Sequence, residues 1–502
     1  MPYLSVTAIS DGVDFIATTY PIVASAFVLP ETSVEGRQIK ALKIAGGIGT
    51  NRTGVLFLGG THARELVNPE TVVSFALRLC DAYANNTGLT FGPKNYEAST
   101  VKLLVDALDI FLVPLVNPDG RHFCLMPGGV PMWRKNRAPN PGAPCRGVDL
   151  NRNCDFLWSS GIGTSANSCS DVFKGPGAFS EPETRNVRWM LDNQPNIASM
   201  IDIHSYSELV LYPWGDDDNQ TIDPAQNFLN PAFDGQRGVA GSGYGEYIPG
   251  GDLDDFTRMG GRIRDGIAAV RGRSYTLQQS ISLYPTTGTI HDYAYSRHYV
   301  DTGRRRVLAF TLETAREFQP PDGEKDQVIE EVSAGLVECL LETMCPADVI
   351  ASLLDAIFPL RVMSAFRDRS MRRTAVGRRY IKMLSDHAAE LIDLATRKKE
   401  IQRAAETMLR AAGRLTEEDG AQIALDDLTS VKQALGIFQK HGSKKLQSSI
   451  ATAVRDMTKL EGLTLHEAFL AIDKRPGSAK KTAAFARAKP KSKPAKKPRS
   501  RK

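Results

Sequence analysis

Four apolar runs of strand length each lead into a polar residue, and this pattern constrains the fold more than any other in the chain. Val55 to Leu58 is followed by His62, Ile110 to Val116 by Asn117, Ser199 to Ile203 by His204, and Leu308 to Leu312 by Glu313. Several of the runs are nearly all apolar, as strands covered on both faces should be. A fifth run, Ala41 to Ala45, has the same length. Helix-like segments lie between them. One opens at Asn68-Pro69-Glu70, with Asn68 as cap and Pro69 at the first helical position, another runs from Ser180 to about Asn193, and a last one from about Lys325 to Glu342. The alternation predicts an α/β fold with a mixed, mostly parallel central sheet flanked by helices. Ligands collect beyond the carboxyl ends of such strands, so His62, Asn117, His204 and Glu313 are expected on one rim.

The chain has 502 residues, enough for more than one domain, and 42% of them are apolar, which suits a folded core. No apolar run approaches the ~18 residues that span a bilayer. Met1 to Ser5 carries no basic segment leading into a long apolar stretch, so a cytoplasmic protein is expected. The formal net charge of +5 is unevenly spread: residues 474–502 hold 13 Lys or Arg and no acid, which leaves −8 on residues 1–473. Three parts follow from this texture. Residues 1–345 alternate strands and helices. Residues 346–473 read as amphipathic helices, with apolar positions at Leu384, Ala388, Leu391 and Ala395 and again at Ile401, Ala405, Met408, Ala412 and Leu415. Residues 474–502 form a Lys, Arg and Pro-rich tail that has nothing to bury and is expected to be disordered, with nucleic acid or another anionic surface as its possible partner.

His62 and Glu65 stand three residues apart, a spacing that brings an imidazole and a carboxylate to one side of a tight turn. His204 adds a second imidazole. Two imidazoles and one carboxylate leave a tetrahedral zinc ion one open position for water, which is a catalytic rather than a structural ligand set. The seven cysteines include no Cys-X-X-Cys pair, which argues against a cysteine zinc knuckle.

Residues 1–345 resemble the carboxypeptidase A/B family of zinc metallopeptidases. His62-Ala63-Arg64-Glu65 is similar to its first zinc motif, Asn117-Pro118-Asp119-Gly120 to its strand-end turn, Met132 to Arg137 to its arginine segment, and Gly147 to Asn153 to its carboxylate-binding segment. His204 to Ser207 with Leu211-Tyr212-Pro213 is similar to the second zinc motif, and Phe310 to Glu313 to the segment of the catalytic glutamate. The resemblance implies one Zn2+ on His62, Glu65 and His204, with Glu313 as general base and Arg134 stabilising the oxyanion. It implies a peptide or protein substrate whose free C-terminal carboxylate meets Asn151 and Arg152 under the ring of Tyr284, with Arg64, Ser205 and Tyr206 along the cleft.

His291 stands where the family places the residue at the base of its side-chain pocket, apolar in A-type and acidic in B-type enzymes. A neutral imidazole there admits aromatic or polar side chains, and a protonated one favours acidic termini. Pro285 fixes a dihedral in the loop that carries Tyr284, and Cys154 replaces a usual aromatic. Cys145 and Cys169 match a disulfide of secreted relatives, but the reducing cytoplasm favours free thiols. Two other activities fit the same pattern: an amidase acting on cell-wall stem peptides or acyl amino acids, and a nucleic-acid-associated protein working through its basic tail.

Overall fold

The computed structural model describes residues 3–47, 52–344, 371, 374–387, 390–391, 394–395, 398–417, 421–458 and 460–473. The chain divides into two compact units, residues 1–356 and 357–502. The basic tail, Cys345, Ala388 and the expected boundary at 345/346 lie outside the described residues.

In the first unit an eight-stranded sheet forms the centre. Its strands are β1 (Ala24–Val28), β2 (Lys40–Ile44), β3 (Thr53–Gly59), β6 (Leu108–Val113), β7 (Ile197–Ser205), β8 (Leu209–Tyr212), β11 (Thr276–Gln279) and β12 (Leu308–Thr314). The hairpin β4 (Leu89–Phe91) and β5 (Lys94–Tyr96) and the pair β9 (Asn219–Gln220) and β10 (Glu246–Tyr247) stand apart. The order across the sheet is β1-β2-β6-β3-β7-β12-β8-β11. The four central strands β6, β3, β7 and β12 are mutually parallel, and β2 and β8 join them antiparallel on either side. Every residue of β3 and β6 is buried, which explains their largely apolar sequences.

The helices are α1 (Val6–Thr19), α2 (Val67–Ala84), α3 (Ala98–Ala107), α4 (Pro118–Leu125), α5 (Pro182–Asn193), α6 (Gly250–Arg271), α7 (Ile290–Val300) and α8 (Asp322–Thr343). α4 has the start its sequence promises, with Asn117 accepting from the Gly120 N–H at 2.9 Å and Pro118 in the first turn. α2 does not. It begins two residues before Pro69, and Asn68 lies inside its first turn rather than capping it. The reason is tertiary: the Asn68 carbonyl accepts from the hydroxyls of Thr314 at 2.9 Å and Ser205 at 3.3 Å, tying α2 to the ends of β12 and β7.

α5 contributes a buried acid that frames the site. Asn136 accepts from the N–H groups of Val148 (2.8 Å) and Ala138 (3.2 Å) and donates to Glu181 (2.7 Å) and Glu183 (3.1 Å). Burial, with Glu181 and Asp119 nearby, pushes the Glu183 carboxyl up to about 8. A folded-state value above the ordinary one means that its contribution to stability is fully present below the unfolded value and is lost as pH rises through about 8. The melting temperature of Glu183→Gln relative to the parent therefore increases between pH 5 and pH 8.5, which calorimetry at three pH values reads directly.

The second unit is helical. It contains Ala375–Asp386, Lys399–Glu417, Leu425–His441, Lys444–Asp456 and Leu465–Asp473. Ile401 and Ala405 are buried on the apolar stripe of the second of these, as the four-and-three spacing predicts. Val376, Ile423, Leu428, Leu460, Ala468 and Ile472 form one core cluster of this unit. No described helix of either unit is long and apolar enough to cross a membrane.

Candidate metal centre and substrate cleft

The turn after β3 delivers the first two donors. Gly60 has φ 66°, and a Cβ there would stand 2.7 Å from Leu115 Cδ1 and 2.9 Å from Pro69 Cγ, so only glycine closes this turn. The Ala63 N–H bonds the Arg134 carbonyl at 3.0 Å, which fixes His62 and Glu65 before α2 starts. His204 comes from the end of β7, where it pairs in register with Glu313 of β12. His62, Glu65 and His204 present ligand atoms that all lie within 4.8 Å of one another, and all three residues are buried. His62 Nδ1 is 2.8 Å from Glu65 Oε1 and 2.9 Å from His204 Nδ1, and His204 Nδ1 is 3.2 Å from Glu65 Oε2. The Ser205 N–H donates to Glu65 Oε2 at 3.0 Å.

Each imidazole has its far nitrogen on a carboxylate, His62 Nε2 on Asp149 at 3.0 Å and His204 Nε2 on Asp202 at 2.7 Å. Both Nδ1 atoms therefore face the cluster, as ligand histidines with oriented tautomers do. Two imidazole nitrogens and a carboxylate oxygen, buried and convergent, fit a zinc ion. The electrostatics agree with a site made for a cation. Burial raises the Glu65 carboxyl, but His62 and His204 hold it well below the usual range. Burial lowers His204, and the charges of Asp202 and Glu65 more than reverse this.

Arg134 reaches Asp149 Oδ2 through Nε (3.1 Å) and Nη2 (2.9 Å), beside the metal donors. Burial works against the Asp149 charge, yet Arg134 and His62 keep this carboxyl well below its ordinary value. Burial alone would raise Glu313 further, but His204 and Arg134 pull it back, and the carboxyl sits at about 7.

On the other side, Arg152 is 2% exposed. It donates through Nε to the Gly163 carbonyl (3.2 Å) and through Nη1 to the Asn151 carbonyl (2.6 Å), with Nη2 3.5 Å from the Tyr284 hydroxyl. Asn151 Oδ1 accepts from the Ile290 N–H at 2.9 Å, which joins the Tyr284 to Asp292 loop to the arginine turn. Gly288, at φ 71°, has space for no Cβ, since one would lie 2.4 Å from the Arg152 carbonyl oxygen. Tyr284 is 47% exposed.

His291 is buried, its Nδ1 3.0 Å from the Thr311 hydroxyl. Burial, with His204 and Arg152 nearby, lowers it to about 3, so the imidazole is neutral at pH 7. Asp292 beneath it accepts from the Gly215 N–H (3.2 Å) and the Thr289 hydroxyl (2.8 Å). Arg64 stacks on Phe318 at 4.2 Å and pairs with Asp171 at 3.1 Å. Tyr206 meets Phe318 edge-on at 4.8 Å. Ser205, expected along the cleft, is 3% exposed, and its hydroxyl is engaged by Thr314 and Asn68 inside the protein.

The structure thus brings His62, Glu65, His204, Glu313 and Arg134 together, and sets Asn151, Arg152 and Tyr284 around one turn. Asp149, Asp202 and Phe318 were not singled out from the sequence, and Asn68 only as a helix cap, although Asp149 lies in the Gly147 to Asn153 motif and Asp202 immediately precedes Ile203-His204. Cys145 and Cys169 are joined in a disulfide, against the expectation of free thiols. Their Cα atoms stand 4.9 Å apart, within the span a bridge closes.

An open two-histidine, one-carboxylate cluster with a glutamate beside it, at the carboxyl rim of a mixed sheet, is a metallohydrolase type of site. The chain belongs to the zinc carboxypeptidase family, whose profile matches residues 9–335. It is similar to mouse carboxypeptidase A4, 30% identical over 311 residues that make up 62% of this chain and 62% of the relative. It is similar to carboxypeptidase B of Helicoverpa zea, 37% identical over 43% of this chain and 47% of the relative, and to carboxypeptidase B of Astacus astacus, 33% identical over 51% and 82%. The chain therefore matches less than two thirds of the length of the first two. Among solved structures, thrombin activatable fibrinolysis inhibitor shares the fold with a TM-score of 0.54 at 21% identity, covering 67% of this chain and 73% of that one. Carboxypeptidase A of Helicoverpa armigera does so with a TM-score of 0.52 at 23% identity, covering 68% and 73%.

Proposed function

We propose that this protein is a zinc-dependent metallocarboxypeptidase that hydrolyses the C-terminal peptide bond of peptides or proteins, with its machinery inside residues 1–345. The observation that carries this reading is the convergence of His62, Glu65 and His204 within 4.8 Å, with Glu313 in register beside His204. His62, Glu65 and His204 would hold one zinc ion per catalytic domain, which would supply Lewis-acid activation of a water molecule and of the scissile carbonyl. Glu313 accepts the proton of the attacking water and passes it to the leaving amine. Without a cation its burial raises the carboxyl to about 7, and the charge of a bound dication would return it toward the ionised form that can accept a proton. Arg134, fixed in orientation by Asp149, offers a permanent positive charge to the oxyanion that develops on the carbonyl. Arg152 and Asn151 bind the terminal carboxylate, and Tyr284 covers it. Arg64, Tyr206 and Phe318 line the path of the preceding residues.

A mass-spectrometric digest of a peptide library tests the reaction. Stepwise loss of C-terminal residues is expected, stopped by a chelator and restored by zinc. Internal cleavage would count against it. The neutral His291 sets the side-chain preference: aromatic and polar C-terminal residues are released, and Asp or Glu termini are poor substrates. Peptides differing only in the last residue check this, and strict release of Lys and Arg would sink it.

A further inference from the structure

We propose that Asp202 is a positioning residue of the metal centre, which fixes the tautomer of His204 and lends its charge to the bound cation. The proposal rests on the reading that His62, Glu65 and His204 hold zinc.

Asp202 and His204 are two residues apart on β7, so their side chains project from the same face of the sheet. Asp202 Oδ2 lies 2.7 Å from His204 Nε2, and both residues are fully buried. An ionised carboxylate can only accept, so Nε2 carries the hydrogen and the Nδ1 lone pair is left to the metal. The other oxygen, Oδ1, accepts from the Thr61 hydroxyl at 2.9 Å. Thr61 precedes His62 in the turn after β3, and Asp202 thereby ties together the two chain segments that supply the imidazoles.

The two carboxylates behind the histidines differ in one respect. Asp149 shares its charge between His62 and the Arg134 guanidinium. Among the described residues Asp202 forms an ion pair with His204 and with no Lys or Arg. A buried carboxylate with no permanent cation beside it is costly, and the cost falls when positive charge arrives on or through its partner. The Asp202 charge is therefore directed, by way of His204, to the metal, where it raises affinity.

Asp202→Asn retains an oxygen that can accept from Nε2 but removes the charge. Its zinc dissociation constant, measured by competition against a fluorescent zinc indicator, should rise about 10–100-fold, with the far-ultraviolet circular dichroism of the parent. In zinc-loaded parent protein labelled with 15N-histidine, long-range proton–nitrogen correlations should show His204 coordinated through Nδ1 with its proton on Nε2, a readout that needs no variant to fold. Zinc binding by Asp202→Asn as tight as the parent's, or coordination through Nε2, would overturn the proposal and leave the metal centre standing. Equal zinc affinity of the parent and His204→Ala would instead remove the metal centre, and the proposal with it.

Discussion

Glu313→Gln lowers kcat/KM toward a peptide with a free C-terminus by about two to four orders of magnitude, while zinc still binds. The amide matches the carboxylate in shape but cannot accept the proton of the attacking water. Because Glu313 is not among the converging donors, metal content stays at the level of the parent. Steady-state kinetics and metal analysis on the same preparation give both numbers, and equal activity in parent and variant would refute the assigned base. The pH dependence has a definite sign. A protonated carboxyl is no base, so activity falls as pH drops through the Glu313 pKa. Its value of about 7 belongs to the protein without a cation. A dication beside it favours the ionised form, which moves the acid limb of kcat/KM below 7 in the zinc enzyme.

Arg134→Gln removes the guanidinium aimed at the developing oxyanion, and a loss of about 100- to 1000-fold in kcat is expected with a smaller change in KM. The same substitution has a second effect. Arg134 is the cation that balances Asp149, and Asp149 holds His62 by Nε2. Unbalanced, that carboxylate pulls harder on the His62 imidazole. Arg134→Lys keeps a charge near Asp149 but loses the two-pronged contact, so its metal content should match the parent while kcat remains low. A lysine variant with full kcat would show that orientation of the cation is unimportant.

The sheet was legible because its central strands are buried on both faces and therefore almost uniformly apolar. The short edge strand β11 lacked that signature: Thr276–Gln279 is partly exposed along its length. The metal donors were legible as residue types at strand ends. What the sequence did not show is how they are held. Asp149 meets His62 across 87 residues and Thr61 meets Asp202 across 141, and a lone aspartate near a histidine carries no local sign of such a partnership. Asn68 misled for a related reason: it has the chemistry of a helix cap and spends it on Thr314 and Ser205 instead. Arg64 showed both of its properties together, an ion pair to Asp171 and a face on Phe318. His291 could be placed from the motif, but its charge state depended on burial.

The last strand of the sheet in sequence, β12, does not lie at an edge but between β7 and β8. During synthesis, a chain that has not yet reached Leu308 leaves those two neighbours with open flanks, and it possesses His62, Glu65 and His204 without Glu313, the proposed base. On the proposed mechanism, hydrolytic competence arrives only when the sheet closes.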